Sequence, residues 1–233
     1  MQIVESSVWG LRTARLSLKS PHSDIRITLV PMVHAGEPGF FQAVYTDAFA
    51  HDVVLVEGVR SPIMRRLTRS YRWIDGSKSL NLVVQPPYPL QANCHARIVH
   101  ADLSGEAFRK AWLQVPFRIR AFAYVAAPAI GAWLRWIASR ASLAKHLSLD
   151  DLSSREEILS FNPETAALDK AILHARDACL VEHLREQLDD PAPAGRSLAI
   201  VYGASHMRAV LGELTHRHGY RVERGDWLTV FSI

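Results

Sequence analysis

Two short runs of apolar residues constrain the fold of this chain more than any other feature. The runs are Val53–Val56 and Ala199–Tyr202, and turn residues follow each of them. An apolar run of this length without alternation is typical of a strand covered on both faces, as in a parallel sheet. Stretches with helical periodicity separate the strand-like runs. We therefore predict an α/β fold with a central mixed, largely parallel sheet flanked by helices.

The remaining pattern predicts one domain over residues 1–233, because 48% of the residues are apolar and no boundary is strong enough to divide the chain. Alternating strands predict a hairpin from Thr13–Ser20 and Asp24–His34. A second hairpin is predicted within Tyr220–Phe231, at the other terminus. Helical patterns over about 105–160 predict an insertion or cap that lies over the sheet.

One apolar segment, Ala121–Leu134, contains no charged residue but is shorter than the roughly 20 residues that span a bilayer. Pro128 and Gly131 interrupt it, so we interpret it as a buried, kinked core helix or a helical hairpin. The alternative is peripheral membrane contact through 121–136, since tryptophans and arginines surround the segment.

Composition excludes several classes of protein. The net charge of +4 is too small to imply nucleic-acid binding. Cys94 and Cys179 lack C-x-x-C partners, which argues against a thiolate metal site or a disulfide scaffold and favours reduced thiols. Met1–Leu11 lacks the basic start and apolar core of a secretory signal. A cytoplasmic protein is the expectation.

A basic and aromatic stretch leaves nucleic-acid or anionic-membrane binding as a third, distant function. A solvated helix face explains the same pattern and is the preferred interpretation. The stretch consists of Arg60, Arg65, Arg66, Arg69, Tyr71, Arg72 and Trp73.

Polar residues follow four predicted strands, and they form the sharpest functional signal in the sequence. They are His34, Glu57, Asp102 and His206. In an open α/β sheet, sites form outside the carboxyl ends of the strands, so parallel neighbours would gather these side chains at one edge. Each has a bland explanation as a loop or capping residue; Asp102, for example, precedes a helix start near Ser104.

Two imidazoles and one or two carboxylates suit two kinds of chemistry. They can hold a divalent metal ion that keeps an open position for water. They can also act as general acids and bases without a metal, because histidine titrates near neutral pH. The residues alone leave both open.

Arg176 and Asp177 are adjacent on a long predicted helix that covers about 162–189. Neighbours on a helix point about 100° apart, so the two need not share a partner. Arg176 falls at the edge of the apolar stripe, where a solvated position is the default expectation.

The order of these motifs resembles the TraB/PrgY/GumN superfamily, which includes the TIKI proteases and, more remotely, erythromycin esterase-like and ChaN-like proteins. The resemblance covers about residues 25–222. It departs from the family where Pro31 replaces the first motif glycine and Ala175 replaces a glutamate. The motifs in this chain are "PMVHAGEPGFFQAV", "VVLVEGVR", "VHADLSGEAFRKAW", "ARDACLVEHL" and "IVYGASHMRAVLGEL".

The resemblance implies that His34, Glu57 and His206 bind a divalent ion, such as Mn, Co or Zn, or activate water. Arg176 would hold substrate or neutralise charge, and Asp102 and Asp177 complete the candidate catalytic set. The expected function is a metal-dependent hydrolase of a peptide, amide or ester bond. The alternative is a non-catalytic binding protein for a signalling peptide or haem iron, which the absence of a G-x-S-x-G nucleophile motif favours.

Overall fold

The structure is a computed structural model that describes residues 2–88, 95–148, 166–190 and 195–233. Its strands are β1 (Val4–Ser7), β2 (Gly10–Ser20), β3 (Ser23–Met32), β4 (Ala35–Gly36), β5 (Val53–Val56), β6 (Val83–Val84), β7 (Arg97–His100), β8 (Ser197–Gly203) and β9 (Arg221–Ser232). Its helices are α1 (Pro38–Ala48), α2 (Pro62–Leu67), α3 (Gly105–Gln114), α4 (Phe117–Trp136), α5 (Arg140–Ser148), α6 (Ala166–Asp169), α7 (Ala175–Asp189) and α8 (Met207–His216). A 3₁₀ segment, Thr68–Gly76, continues α2, and a π-helical turn, Lys170–His174, joins α6 to α7.

The central sheet is mixed and has seven strands, which confirms the predicted fold class. Its order is β1-β2-β3-β8-β5-β7, and β9 also pairs with β2. The pairs β3/β8, β8/β5 and β5/β7 are parallel, whereas β1, β3 and β9 all run antiparallel to β2. All residues of β5 are buried, as its unbroken apolar run predicts.

The register places the carboxyl ends of the four parallel strands at one edge of the sheet. Met32 is opposite Gly203, at the ends of β3 and β8. Val56, the last residue of β5, is opposite both Val201 and His100. The segments that follow these four strands therefore begin side by side.

The hairpin of β2 and β3 is confirmed, but the predicted C-terminal hairpin is wrong. Residues Arg221–Ser232 form one strand that pairs with β2 over most of its length. Gly225 and Asp226, which suggested a turn, pair with Leu16 and Arg15 inside this ladder. A long partner strand therefore overrides a local turn signal. Strand β6 is only two residues long and pairs with β4, outside the central sheet.

The helices of the predicted insertion form two groups, and residues 149–160 of that insertion lie outside the described ranges. Helix α5 packs against β1 and β2. Helices α3 and α4 pack instead on the layer formed by α2 and the two irregular helical segments. A small second core of Phe108, Trp112 and Val115 lies there, apart from the core around the sheet.

Helix α4 corrects the interpretation of 121–134 as a buried core helix or a helical hairpin. It is one continuous helix with Pro128 inside it, and only Gly131 and Leu134 are fully buried. It packs closely on the 3₁₀ segment at Gly131, where a Cβ atom would lie 3.0 Å from the Cβ of Ser70. Within the described residues, no helix combines the length and apolar character that crossing a membrane requires.

Candidate functional site

A buried guanidinium joins two of the strand ends that the sequence singles out. Nε of Arg176 donates to Oδ1 of Asp102 at 3.0 Å, and its Nη2 donates to Oδ2 at 2.8 Å. The same Nη2 donates to Oε1 of Glu57 at 2.5 Å. The side chain of Arg176 is 7% exposed and that of Asp102 is 1% exposed. The expectation of a solvated Arg176 is therefore wrong.

Backbone amides at the sheet edge hold the two carboxylates of this network. Oε2 of Glu57 accepts from the amide of Gly203 at 2.6 Å, across the β5/β8 boundary. Asp102 accepts from the amides of Gly58 and Leu103 at 3.0 and 2.8 Å. Asp102 thus does not cap α3; Ser104 does, by accepting from Ala107. Because strand ends supply these donors, the parallel register itself positions the carboxylates.

Burial and nearby positive charges shift the pKa of Glu57 in opposite directions, and the net result is a lowered pKa. Burial is the largest single influence and would raise this pKa, and the positive charge of Arg176 is the largest influence that opposes it. Together with the imidazoles of His34 and His206, that charge lowers the pKa of Glu57 to about 2. Glu57 is therefore ionised at any physiological pH.

Arg176 is likewise charged at any physiological pH. Burial opposes the charge of Arg176, but the hydrogen bond to Asp102 and the charge of Glu57 raise its pKa above the ordinary value. Its guanidinium also lies over the ring of Tyr202, with Cζ 5.5 Å from the ring centroid.

His206 and Asp177 form a separate pair beside this network. Nδ1 of His206 lies 2.7 Å from Oδ1 of Asp177, and His206 is 3% exposed. A neutral imidazole that donates from Nδ1 keeps its basic lone pair on Nε2. Arg176 and Asp177 bind different partners, as their angular separation on the helix predicts. The ring of Tyr202 packs edge-on against His206 at 4.9 Å.

His34 is exposed and lines a cavity of about 640 Å³ together with Glu57 and Arg176. Its backbone oxygen accepts from the amide of Gln85, and its ring packs against that of Tyr71 at 5.4 Å. The rest of the cavity comes from α2, the 3₁₀ segment and residues around β6; its lining includes Val59, Met64, Thr68, Arg72, Asp75, Val84, Pro86, Pro87 and Tyr88.

Pro31 does not disturb the strand that leads to His34. It lies within β3 and pairs with Tyr202 of β8, while the pairing of β3 with β2 ends at Leu29. No β2 partner therefore requires the N–H that proline lacks.

Several residues of the site could not be predicted from the sequence. Tyr88 donates from its hydroxyl to the backbone oxygen of Glu57 at 3.1 Å, and its pKa is raised by burial and by the charge of Glu57. Tyr71 and Tyr202 contact the two histidines through their rings. Tyr202 and Gly203 lie within the motif that contains His206, but the motif gives no separate role to either, and Gly203 contributes through its backbone amide.

Two of the three expected metal ligands, Glu57 and His206, already make side-chain hydrogen bonds, and the metal-binding role of all three stays a prediction. Both oxygens of Glu57 accept hydrogen bonds, one of them from a cation, and Nδ1 of His206 faces Asp177. Among the residues that the structure describes, no group of three or more His, Cys, Asp or Glu side chains is arranged to hold a metal ion. Cys94 lies outside those residues, and Cys179 is a free thiol.

No protein-family model, curated protein or solved structure matches this chain. The resemblance to the TraB/PrgY/GumN superfamily therefore stays a prediction that is based on the motifs alone.

Proposed function

We propose that this protein hydrolyses a peptide, amide or ester bond in the cavity beside His34 and Glu57. The observation that carries this proposal is the burial of three charged groups beside a cavity. Two of them, Glu57 and Arg176, line this cavity together with the exposed imidazole of His34. Burying charges is costly, and strongly perturbed ionisable groups in a cleft are typical of functional sites.

Water is the nucleophile in this proposal. Each oxygen of Glu57 has a second lone pair beyond the hydrogen bonds already described, so it accepts from a water molecule in the cavity. His34 then removes a proton from that water as the oxygen attacks the substrate carbonyl. The protonated His34 returns this proton to the departing amine or alkoxide. The products are a carboxylic acid and an amine or alcohol.

Arg176 and Asp102 position Glu57 rather than touch the reacting atoms. They keep the carboxylate ionised and fix one face of it, which leaves its remaining lone pairs for water. Asp177 fixes the ring of His206, whose charge when protonated also acts on Glu57. We derive no step through a metal ion; the metal-dependent form of the hydrolysis stays a prediction.

Binding without catalysis is a second candidate, and one observation favours it. Both oxygens of Glu57 are already hydrogen bonded, and a carboxylate with a pKa of about 2 is a weak proton acceptor. The cavity volume also lies within the range of small-molecule sites.

His34→Asn is expected to lower hydrolysis at least about 100-fold, because the proton acceptor is lost while the fold is retained. The measurement uses a panel of chromogenic esters and quenched-fluorescence peptides, in EDTA and then with Mn, Co or Zn added. His22→Asn is the matched control, since His22 is exposed at the turn between β2 and β3, away from the carboxyl edge.

The outcomes of this assay separate the candidates. Activity in EDTA that only His34→Asn abolishes supports the proposal. Activity that needs an added metal replaces it with the metal-dependent form. Equal activity in both variants places the reaction elsewhere, and no turnover of any substrate favours the binding function.

A further inference from the structure

Helix α4 turns an apolar stripe toward solvent. Phe122, Val125 and Trp136 are 70%, 71% and 69% exposed. At 100° per residue these three positions fall within an arc of about 60°, so they lie on one face. Phe117 and Ile137, at the two ends of the helix, are equally exposed. A surface helix ordinarily turns its polar face outward, so this pattern is inverted.

The charged residues of the segment that carries this stripe have one sign. Between residues 107 and 148 the chain has no Asp or Glu, and it has seven Lys and Arg. Arg118 and Arg135, near the two ends of α4, are both exposed. Helix α2 adds Arg66, whose guanidinium packs over the ring of Tyr124 of α4 at 4.6 Å. An apolar centre with cationic ends is the pattern of a helix that lies in an anionic membrane interface.

We propose that α4 docks on the surface of an anionic lipid bilayer, parallel to the membrane plane. The stripe enters the boundary between headgroups and acyl chains, where tryptophan is favoured. Arg118 and Arg135 bind headgroup phosphates, because an anionic surface attracts basic residues beside it. The helix lies on the bilayer and does not cross it.

Charge distinguishes lipid from the other occupants of an apolar face. A second copy of this chain would bring the same basic surface against itself, which is unfavourable. Nucleic acid would satisfy the arginines but would leave Phe122 and Val125 in water. An anionic bilayer satisfies both parts of the surface at once. This inference does not depend on the proposed hydrolase activity.

Co-sedimentation with large unilamellar vesicles tests the proposal on the full chain. Wild type is expected to bind vesicles of phosphatidylcholine with 30% phosphatidylglycerol, and to bind pure phosphatidylcholine at least tenfold more weakly. Phe122→Ser with Val125→Ser is expected to lower binding to the anionic vesicles at least tenfold, because less apolar area enters the interface. Arg118→Gln with Arg135→Gln is expected to lower it by a similar factor.

The matched control is Val8→Ser with Trp9→Ser, which removes two apolar side chains that are each 82% exposed at the turn between β1 and β2. It is expected to bind within about twofold of wild type. Unchanged thermal unfolding of each variant by circular dichroism shows that the fold is retained. The proposal is overturned by three results: no binding of wild type to anionic vesicles, equal loss in the control, or a wild-type dimer in light scattering that Phe122→Ser with Val125→Ser dissociates.

Discussion

Replacing Arg176 with methionine is expected to lower the free energy of unfolding by about 3–5 kcal/mol at pH 7. The substitution removes the cation but leaves two buried carboxylates, Glu57 and Asp102, without their counter-charge. Methionine keeps most of the buried side-chain volume, so a cavity is not the main cause of the loss. Urea denaturation followed by circular dichroism measures the change.

Arg185→Met is the matched control for this loss. Arg185 lies on the same helix and makes two hydrogen bonds to Glu213, at 2.7 and 2.9 Å, but its side chain is 34% exposed. Solvent screens a pair of that exposure, so the loss in Arg185→Met is expected to be much smaller than the loss in Arg176→Met. Similar losses in the two variants would show that burial gives the Arg176 network no special weight.

Wild type is expected to lose about 3 kcal/mol of stability through Glu57 as the pH falls from 5 to 2. The folded-state pKa of Glu57 is about 2, below the ordinary value of 4.5. A lowered pKa stabilises the fold fully above the unfolded value and loses that contribution as the pH falls toward the folded value. A pKa difference of this size corresponds to about 3 kcal/mol.

Glu57→Gln isolates this effect, because glutamine does not titrate. The difference in unfolding free energy between wild type and Glu57→Gln is expected to shrink by about 3 kcal/mol from pH 5 to pH 2. Glu223→Gln is the control: Lys19 lowers the pKa of Glu223, but both groups are exposed, so no comparable change is expected. A difference between wild type and Glu57→Gln that is constant over this range would contradict the assignment.

The clustering of site residues at the strand ends could be predicted from the sequence, because a simple rule governs where parallel strands end. Parallel strands end at one edge, and Glu57, Asp102 and His34 follow three of those strands directly. The rule needs only the apolar runs and their order. The position of the fourth residue, His206, follows from the same rule through β8.

The burial of Arg176 could not be predicted in this way, because its partners are distant along the chain. A helical wheel places it beside an apolar stripe, and from that position alone a solvated side chain is the better expectation. Its burial depends on where α7 docks, and Arg176 lies 119 residues after Glu57 in the chain. Such a contact has no local signature.

The prediction of a buried environment for helix α4 is wrong for a different reason. An uncharged apolar segment predicts that its side chains are removed from water, but it does not indicate what covers them. The tertiary structure buries Gly131 and Leu134 and leaves Phe122 and Val125 uncovered. The hydropathy of this segment therefore marks it correctly as unusual, but the predicted buried environment is wrong.

The contact between Gly131 and Ser70 links that uncovered helix to the wall of the cavity. The two backbones meet without room for one added methyl group, and the residues after Ser70 are Tyr71 and Arg72, which line the cavity. Helix α4 and the wall of the cavity therefore pack directly against each other. A protein held at a membrane surface through α4, as proposed above, would diffuse in two dimensions and keep this wall of the cavity close to that surface.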